Sequence, residues 1–290
     1  MPRRPTTTPP GARGPAVAEP LLRVEGLCVE LPDASARPAF GRAAMRPILQ
    51  AIDLEVAAGE CVAIVGESGS GKTTLGRAVL RLLDASAGLI RFDGVEITHA
   101  PEAALRAVRA RMQMIFQDPL SSLNPRRTVG DSIAQPLRAY GRVRGSGQAH
   151  AAAAALLERV ALPAAFAGRY PHQLSGGQRQ RVGIARAIAL EPDLIVADEI
   201  VSGLDVSTQA TVLALLRELR ARMRLAMLFV THDLSVVRAL CDRVVVMREG
   251  RIVEAGPVDS VFAAPREPYT RALLDAVPLP EVDAGWLDRA

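Results

Sequence analysis

Residues 66–73 read "GESGSGKT", three glycines followed by a lysine and a threonine at the spacing that cradles phosphate. Gly66, Gly69 and Gly71 let the backbone curl until successive N–H groups converge on an oxyanion, with Glu67, Ser68 and Ser70 completing the loop. Lys72 adds a point charge for the β- and γ-phosphates of a nucleoside triphosphate. The Thr73 hydroxyl can ligate Mg2+, and Thr74 continues the same set.

The acidic half of such a site is "LIVADE", residues 194–199. An apolar run of strand length delivers Asp198 to the carboxyl edge of a sheet, where ligands gather in open α/β folds. Asp198 is expected to hold Mg2+ through water, and Glu199, one residue on, is free to polarise an attacking water. Gln117 ends another apolar run, "MQMIF", and can contact the metal or the water. His232 follows a further run, "AMLFV", and should reach the same edge as a γ-phosphate sensor. His99, His150 and His172 lack that placement and read as structural. A second glycine-rich stretch, "LSGGQRQR" (174–181), offers the Ser175 hydroxyl and the bare backbone of Gly176, Gly177 and Gln178 before a helix-like run. That also suits an anion. One chain thus carries two phosphate-type sites.

Five continuous apolar runs position these groups: "CVAIV" (61–65), "MQMIF" (112–116), "LIVAD" (194–198), "AMLFV" (226–230) and "RVVVM" (243–247). Each suits a strand buried on both faces, and helical patterns separate several of them, which predicts a parallel, doubly wound sheet. After the first glycine loop, Leu75, Val79, Leu82 and Leu83 are expected on one helical face. "LLRVEGLCVEL" (21–31) alternates as a strand, "PDASARPAFGRAAMRP" (32–47) reads as a loop, and "MREGRIVE" as a hairpin. Buried strands vanish between Gln117 and Leu174, where "AHAAAAALLERVAL" (149–162) is strongly helix-forming. The resulting division is a disordered proline-rich tail at 1–20, an α/β core at 21–117 and 181–255, a helical insertion at 118–180, and a helix-and-turn tail at 256–290.

Composition narrows the partners. The 290 residues are 49% hydrophobic but only 3% aromatic, so stacking platforms for nucleic-acid bases are scarce. The net charge of +4 comes from 35 basic residues interspersed with 31 acidic ones, a mixed solvated surface; no nucleic-acid partner is expected. Cys28, Cys61 and Cys241 are far apart and flanked by apolar residues, and read as small core hydrophobes in a reducing compartment. No apolar run is long enough to span a membrane, and the N-terminus lacks the apolar core of a signal peptide.

With "GESGSGKTT", Gln117, "LSGGQRQR", "LIVADE", "SGLD" and His232 in that family's arrangement, residues 21–275 resemble the nucleotide-binding subunit of an ABC transporter. The stretches "FQDPLSSLNPRRTVGD", "RYPHQLSGGQRQR" and "REPYTRALLDAVP" are similar to the ATPases of dipeptide, oligopeptide and nickel importers, closer to the F-type member of their D/F pair. The resemblance implies a P-loop NTPase core with a mainly parallel, RecA-like sheet, an antiparallel β part near the N-terminus and an inserted α-helical subdomain. It implies ATP hydrolysis with Mg2+, and head-to-tail packing against a second nucleotide-binding subunit, the same or a sister chain. Residues 175–178 would then cap the ATP held by the partner's phosphate loop, which gives the second anion site its use. Asp205 would line the seam. Two transmembrane permease subunits, and indirectly an extracytoplasmic solute-binding protein, would complete an importer of peptides or related solutes, with this chain peripheral on the cytoplasmic face of the inner membrane.

Three departures accompany the resemblance. Leu31 stands where an aromatic often stacks on adenine, with Phe40 as a substitute. Ile200 and Gly203 replace a common proline and alanine, and Gly203 is expected to loosen the seam loop. The N-terminal tail has no counterpart. Chromosome-maintenance ATPases share such a head but insert long coiled coils between its halves. Here Gln117 and Leu174 are too close in sequence and lack heptads between them. Translation-associated relatives usually carry two such domains in one chain, against one phosphate loop here.

Overall fold

The computed structural model describes residues 19–32, 44–118 and 122–276. The reading of residues 1–18 as a disordered tail, and Phe40 as an adenine partner, lie outside the described residues.

The centre is a six-stranded sheet in the order β10-β9-β3-β8-β7-β6. Strands β3 (Cys61–Val65), β6 (Met112–Ile115), β7 (Leu194–Asp198), β8 (Ala226–Val230) and β9 (Arg243–Arg248) are parallel, and β10 (Arg251–Pro257) closes the edge as an antiparallel hairpin with β9. The continuous apolar runs have a simple cause. In β3, Cys61, Ala63 and Val65 point into one core, while Val62 and Ile64 point into the other. Strands β7, β8 and β9 divide their residues in the same alternating way. Burying a Val, Leu or Ile side chain contributes about 1.5–3 kcal/mol, and a strand covered on both faces gains it at every position.

One face is covered by an antiparallel sheet in the order β2-β1-β4-β5, built from β1 (Leu22–Pro32), β2 (Met45–Val56), β4 (Ala87–Phe92) and β5 (Val95–Glu96), together with α1 (Lys72–Val79) and α2 (Glu102–Arg111). Helices α3 (Val129–Ala139), α4 (Gly145–Arg159) and α5 (Gly176–Ile188) form the helical part after Gln117. Helices α6 (Val206–Met223), α7 (Leu234–Leu240), α8 (Val258–Ala263) and α9 (Pro268–Asp275) follow. Among the described residues no helix is long and apolar enough to cross a membrane.

Several local expectations need correction. Helix α1 ends at Val79, so Leu82 and Leu83 lie beyond it, and Leu82 is 48% exposed. Arg81, at φ 54°, breaks the helical path between them. The long loop yields to β2 at Met45, whose register pairs Leu31 with Arg46. Helix α4 begins at Gly145, ahead of the alanine run, because a glycine-rich start still extends a helix seated by Ala149, Ala153, Leu156 and Leu157. Helix α5 runs through residue 180, so the boundary placed there falls inside one helix.

Cys61 and Cys241, remote in sequence, meet in space with sulfurs 3.4 Å apart as free thiols. The Cys61 sulfur, with burial, pushes the Cys241 thiol well above its usual pKa and keeps it protonated. Gly203 has a φ of 76°, the left-handed conformation that glycine adopts without strain.

Candidate functional site

Parallel pairing puts the carboxyl ends of β3, β8, β7 and β6 along one edge. Each end delivers one group. β3 runs into the phosphate loop, β7 ends at Asp198 with Glu199 next, Gln117 follows β6, and His232 follows β8.

The phosphate loop is a tight backbone structure. A Cβ on Gly66 would meet the Met247 carbonyl oxygen at 2.1 Å, and one on Gly71 would meet the Leu49 side chain at 2.9 Å. Both residues also have positive φ, 149° and 102°, so the turn requires glycine twice over. The Ser70 hydroxyl is buried without a hydrogen-bond partner. Lys72, only 6% exposed, donates from Nζ to the carbonyl oxygens of Gly66 at 2.8 Å and Glu67 at 2.7 Å. An ammonium has three donors, so one remains for a ligand. Burial pushes the Lys72 pKa below its usual value, against the opposing pull of Glu199, Asp198 and Glu67.

The Thr73 hydroxyl donates to Asp198 Oδ1 at 3.0 Å. Burial pushes the Asp198 carboxyl up, the Thr73 bond opposes that, and Glu199 pushes in the same direction as burial. Glu199 is not free, as its position alone suggested. Gln117 Nε2 donates to its Oε2 at 2.8 Å, and His232 Nδ1 lies 3.5 Å from its Oε1. Its φ of 47° is unusual for a glutamate, and its N–H donates to the Val230 carbonyl at 2.9 Å. Backbone strain of this kind gathers at functional positions.

A cleft of about 480 Å3 is lined by Ser68, Gly69, Gly71, Lys72, Thr73, Thr74, Gln117 and Glu199, with Leu31, Arg46 and Ile48 as its other wall. The sequence pointed to Leu31 as lacking a ring. Arg46 falls in the segment that read as loop, and Ile48 directly follows it. The alternation within β2 was the signal that could have found them.

The second glycine stretch is built differently. Ser175 caps α5, accepting from the Gln178 N–H at 3.3 Å, while Gln178 Oε1 accepts from the Ser175 N–H at 3.0 Å. A Cβ on Gly177 would meet Thr208 Cγ2 at 2.2 Å, so that glycine lets α5 approach α6. Thr208 in turn bonds Asp205, whose carboxylate caps α6 by accepting from Ser207 Oγ, the Thr208 N–H and Thr208 Oγ1 at 2.6–3.0 Å. Those hydrogen bonds hold the Asp205 carboxyl well below the usual range. Ser175, Gly176, Gly177, Gln178 and Asp205 thus form one linked unit, and none of them lines the phosphate-loop cleft.

The site fits ATP and a hard divalent cation. The cradle leaves no room for a Cβ at Gly66 or Gly71, Ser70 holds a hydroxyl in reserve, and Thr73 and Asp198 present paired oxygen donors.

Residues 49–202 match the family described as "ABC transporter", and residues 253–290 match "Oligopeptide/dipeptide transporter, C-terminal region". The chain is 49% identical over 265 residues to a "Putative peptide import ATP-binding protein" of Brucella ovis, spanning 91% of this chain and 81% of that protein. It is 47% identical to the "Glutathione import ATP-binding protein GsiA" of Escherichia coli K12, spanning 91% of this chain and 42% of that longer protein. The ATP-binding cassette MJ0796, solved as a dimer in a post-hydrolysis state bound to ADP and Pi, matches with a TM-score of 0.71 at 28% identity, over 82% of this chain and 98% of that one. The protein cbiO1 of Clostridium perfringens, part of the transporter complex cbiONQ, matches with a TM-score of 0.70 at 28% identity, over 84% and 91%. A four-strand edge that gathers a phosphate loop, an acidic pair, a glutamine and a histidine is therefore found on a chain that belongs to the ABC transporter family, as one of its ATP-hydrolysing subunits.

Proposed function

We propose that this chain drives uptake of peptides or related small solutes by hydrolysing ATP at an interface with a second nucleotide-binding subunit. The observation that carries the reading is a separation. The phosphate loop, Gln117 and Glu199 line one cleft, with Asp198 bonded to Thr73 and His232 beside Glu199, whereas no residue of the Ser175 to Gln178 and Asp205 unit lines that cleft or bonds to those groups. Two anion-binding elements apart on one chain suit a two-fold, self-complementary dimer in which each serves the other's nucleotide. The peptide and glutathione import named for the relatives, and the match of the C-terminal region, support the solute class.

In this reading Gly66 to Thr74 hold the triphosphate, with the third Nζ donor of Lys72 on its terminal oxygens. Leu31 and Ile48 flank the base, and Arg46 offers a planar guanidinium to its face. Mg2+, held by Thr73, Gln117 and Asp198, would neutralise charge on the phosphate oxygens. Glu199 orients the attacking water and accepts its proton, and His232 senses the γ-phosphate. The Ser175 hydroxyl and the N–H groups of Gly176 and Gly177 approach that phosphate from the partner subunit. Two permease subunits receive the motion, an extracytoplasmic binding protein delivers the solute, and the chain sits peripherally on the cytoplasmic face of the membrane.

The test is a mixed dimer. Ser175→Arg should leave ATP binding to the isolated chain intact while abolishing productive hydrolysis. Pairing it with a Lys72→Ala chain creates one composite site with both lesions and one with neither, and partial activity should return. Mixed dimers that form yet remain inactive argue for a site within one chain.

A further inference from the structure

The C-terminal stretch "PYTRALL" reaches the phosphate loop in space: the Glu67 backbone N–H donates to the Tyr269 hydroxyl at 3.0 Å, a contact across 202 residues of sequence. From this geometry we infer that Tyr269 is a positioning residue for the phosphate loop. It fixes the Gly66–Glu67 peptide, whose Gly66 carbonyl is one of the two that Lys72 grips, so that the loop is ordered before the nucleotide arrives. The inference rests on the reading of residues 66–74 as the triphosphate cradle.

Both backbone groups of Glu67 are held from different directions. Its N–H meets Tyr269, and its carbonyl accepts from Lys72 Nζ at 2.7 Å and from the Ser70 N–H at 3.2 Å. A loop with three positive-φ glycines is entropically expensive to order, so fixing one peptide ahead of binding favours the competent form. Lys72 must share its ammonium with a phosphate when one binds. If the Gly66 carbonyl, in the peptide that Tyr269 holds, could swing with it, the ammonium would lose its aim.

The tyrosine is itself held by more than its own helix. The Glu254 carboxylate in β10 accepts from the Arg266 N–H at 2.9 Å and the Glu267 N–H at 3.2 Å, which fixes the turn entering α9. Pro268 occupies the first turn of that helix. Phe262, Tyr269, Leu273 and Leu274 pack against the main core, and the Arg248 guanidinium stands over the Tyr269 ring at 5.1 Å. The hydroxyl therefore arrives on a fixed arm. Glu67 is exposed, so water can replace the lost partner, and the bond acts on geometry more than on burial.

Tyr269→Phe in the full-length chain isolates the hydroxyl while keeping the ring. Equilibrium binding of a fluorescent ATP analogue should weaken about fivefold, the scale of one neutral hydrogen bond, and ADP should weaken equally. The Glu67 amide should exchange hydrogen faster, while the thermal midpoint of the unliganded protein stays at the wild-type value. Wild-type affinity and wild-type exchange in this variant, with Lys72→Ala binding poorly, would overturn the positioning role and leave the cradle intact. A lowered midpoint with unchanged Glu67 exchange would overturn it as well, because the ring would then only be packing. Full affinity in Lys72→Ala would overturn the cradle and this inference together.

Discussion

Gln117 and Glu199 are joined by a 2.8 Å hydrogen bond from the glutamine amide to the carboxylate. Gln117 also heads the segment leading to the helical part, so any rotation of α3 to α5 against the sheet pulls on the group proposed to handle water. His232 Nδ1 lies 3.5 Å from the other carboxylate oxygen, so Glu199 has a neighbour on each side.

Glu199→Gln keeps the size and the hydrogen bonding of that side chain but removes its basicity. Hydrolysis should fall by about two to four orders of magnitude, with ATP affinity close to wild type. Single-turnover hydrolysis beside equilibrium nucleotide binding separates the two. A variant with normal turnover, measured with no wild-type subunit present, would take Glu199 out of the mechanism.

Lys72→Ala should fail one step earlier. The triphosphate loses a fixed, mostly buried counter-charge, and charge-assisted bonds are worth about 1.5–3 kcal/mol, so affinity should drop at least about tenfold. Titration with a fluorescent ATP analogue gives the answer directly.

Gly177 and Gly183 lie in the same helix but should respond oppositely to alanine. A Cβ at 177 would sit 2.2 Å from Thr208 Cγ2, and Thr208 cannot turn away without releasing Asp205. Overpacking there should cost about 1–3 kcal/mol. At Gly183 a Cβ meets nothing within 4 Å, so alanine should be neutral or stabilise by up to about 1 kcal/mol through helix propensity. Urea unfolding midpoints of the two variants should fall on opposite sides of wild type, or the 183 variant on it.

Asp233 supplies a pH test away from the metal-type ligands. Burial raises its pKa, but hydrogen bonds from the Ser235 hydroxyl, the Gln209 amide and the N–H groups of Ser235 and Val236 outweigh this and leave it below 3.8. The folded state thus favours the carboxylate. Its contribution is complete above the unfolded value and is lost as pH falls through the lower folded one. The stability gap between wild type and Asp233→Asn should be constant near neutrality and shrink below about pH 4. A gap that widens with acid would contradict the assignment.

The sequence carried the parts whose signal is local. Five apolar runs became strands because burial on both faces removes the need for alternation, and "GESGSGKT" predicted its loop because glycine geometry is a backbone property. What escaped depends on contacts made at a distance. The end of α1 before Leu82 is set by a left-handed Arg81, which residue type alone does not announce. The short hairpin of β4 and β5 did have a local signal, Asp93-Gly94, both with positive φ as such turns require. Cys61 and Cys241 looked unrelated until β3 and β9 paired beneath them. Tyr269 gave no sign of its partner at all, since only the seating of α9 brings it to Glu67.

The tip of the β9–β10 hairpin has a consequence for biosynthesis. Gly250 donates its N–H to the Ser70 carbonyl at 3.0 Å, accepts from the Gln50 N–H at 2.8 Å, and has no space for a Cβ, which would meet the Ile48 oxygen at 2.2 Å. The loop's own strand, β3, is flanked by β8 and β9, both made more than 160 residues later. A chain emerging from the ribosome therefore carries the phosphate loop early but has neither the flanking strands nor the glycine beneath it until the hairpin is out. Nascent chains stalled before residue 250 should not retain ATP, while those extended past the tail helix should. Domains that fold as units during synthesis show such thresholds. Nucleotide binding should therefore begin only after the hairpin has been made.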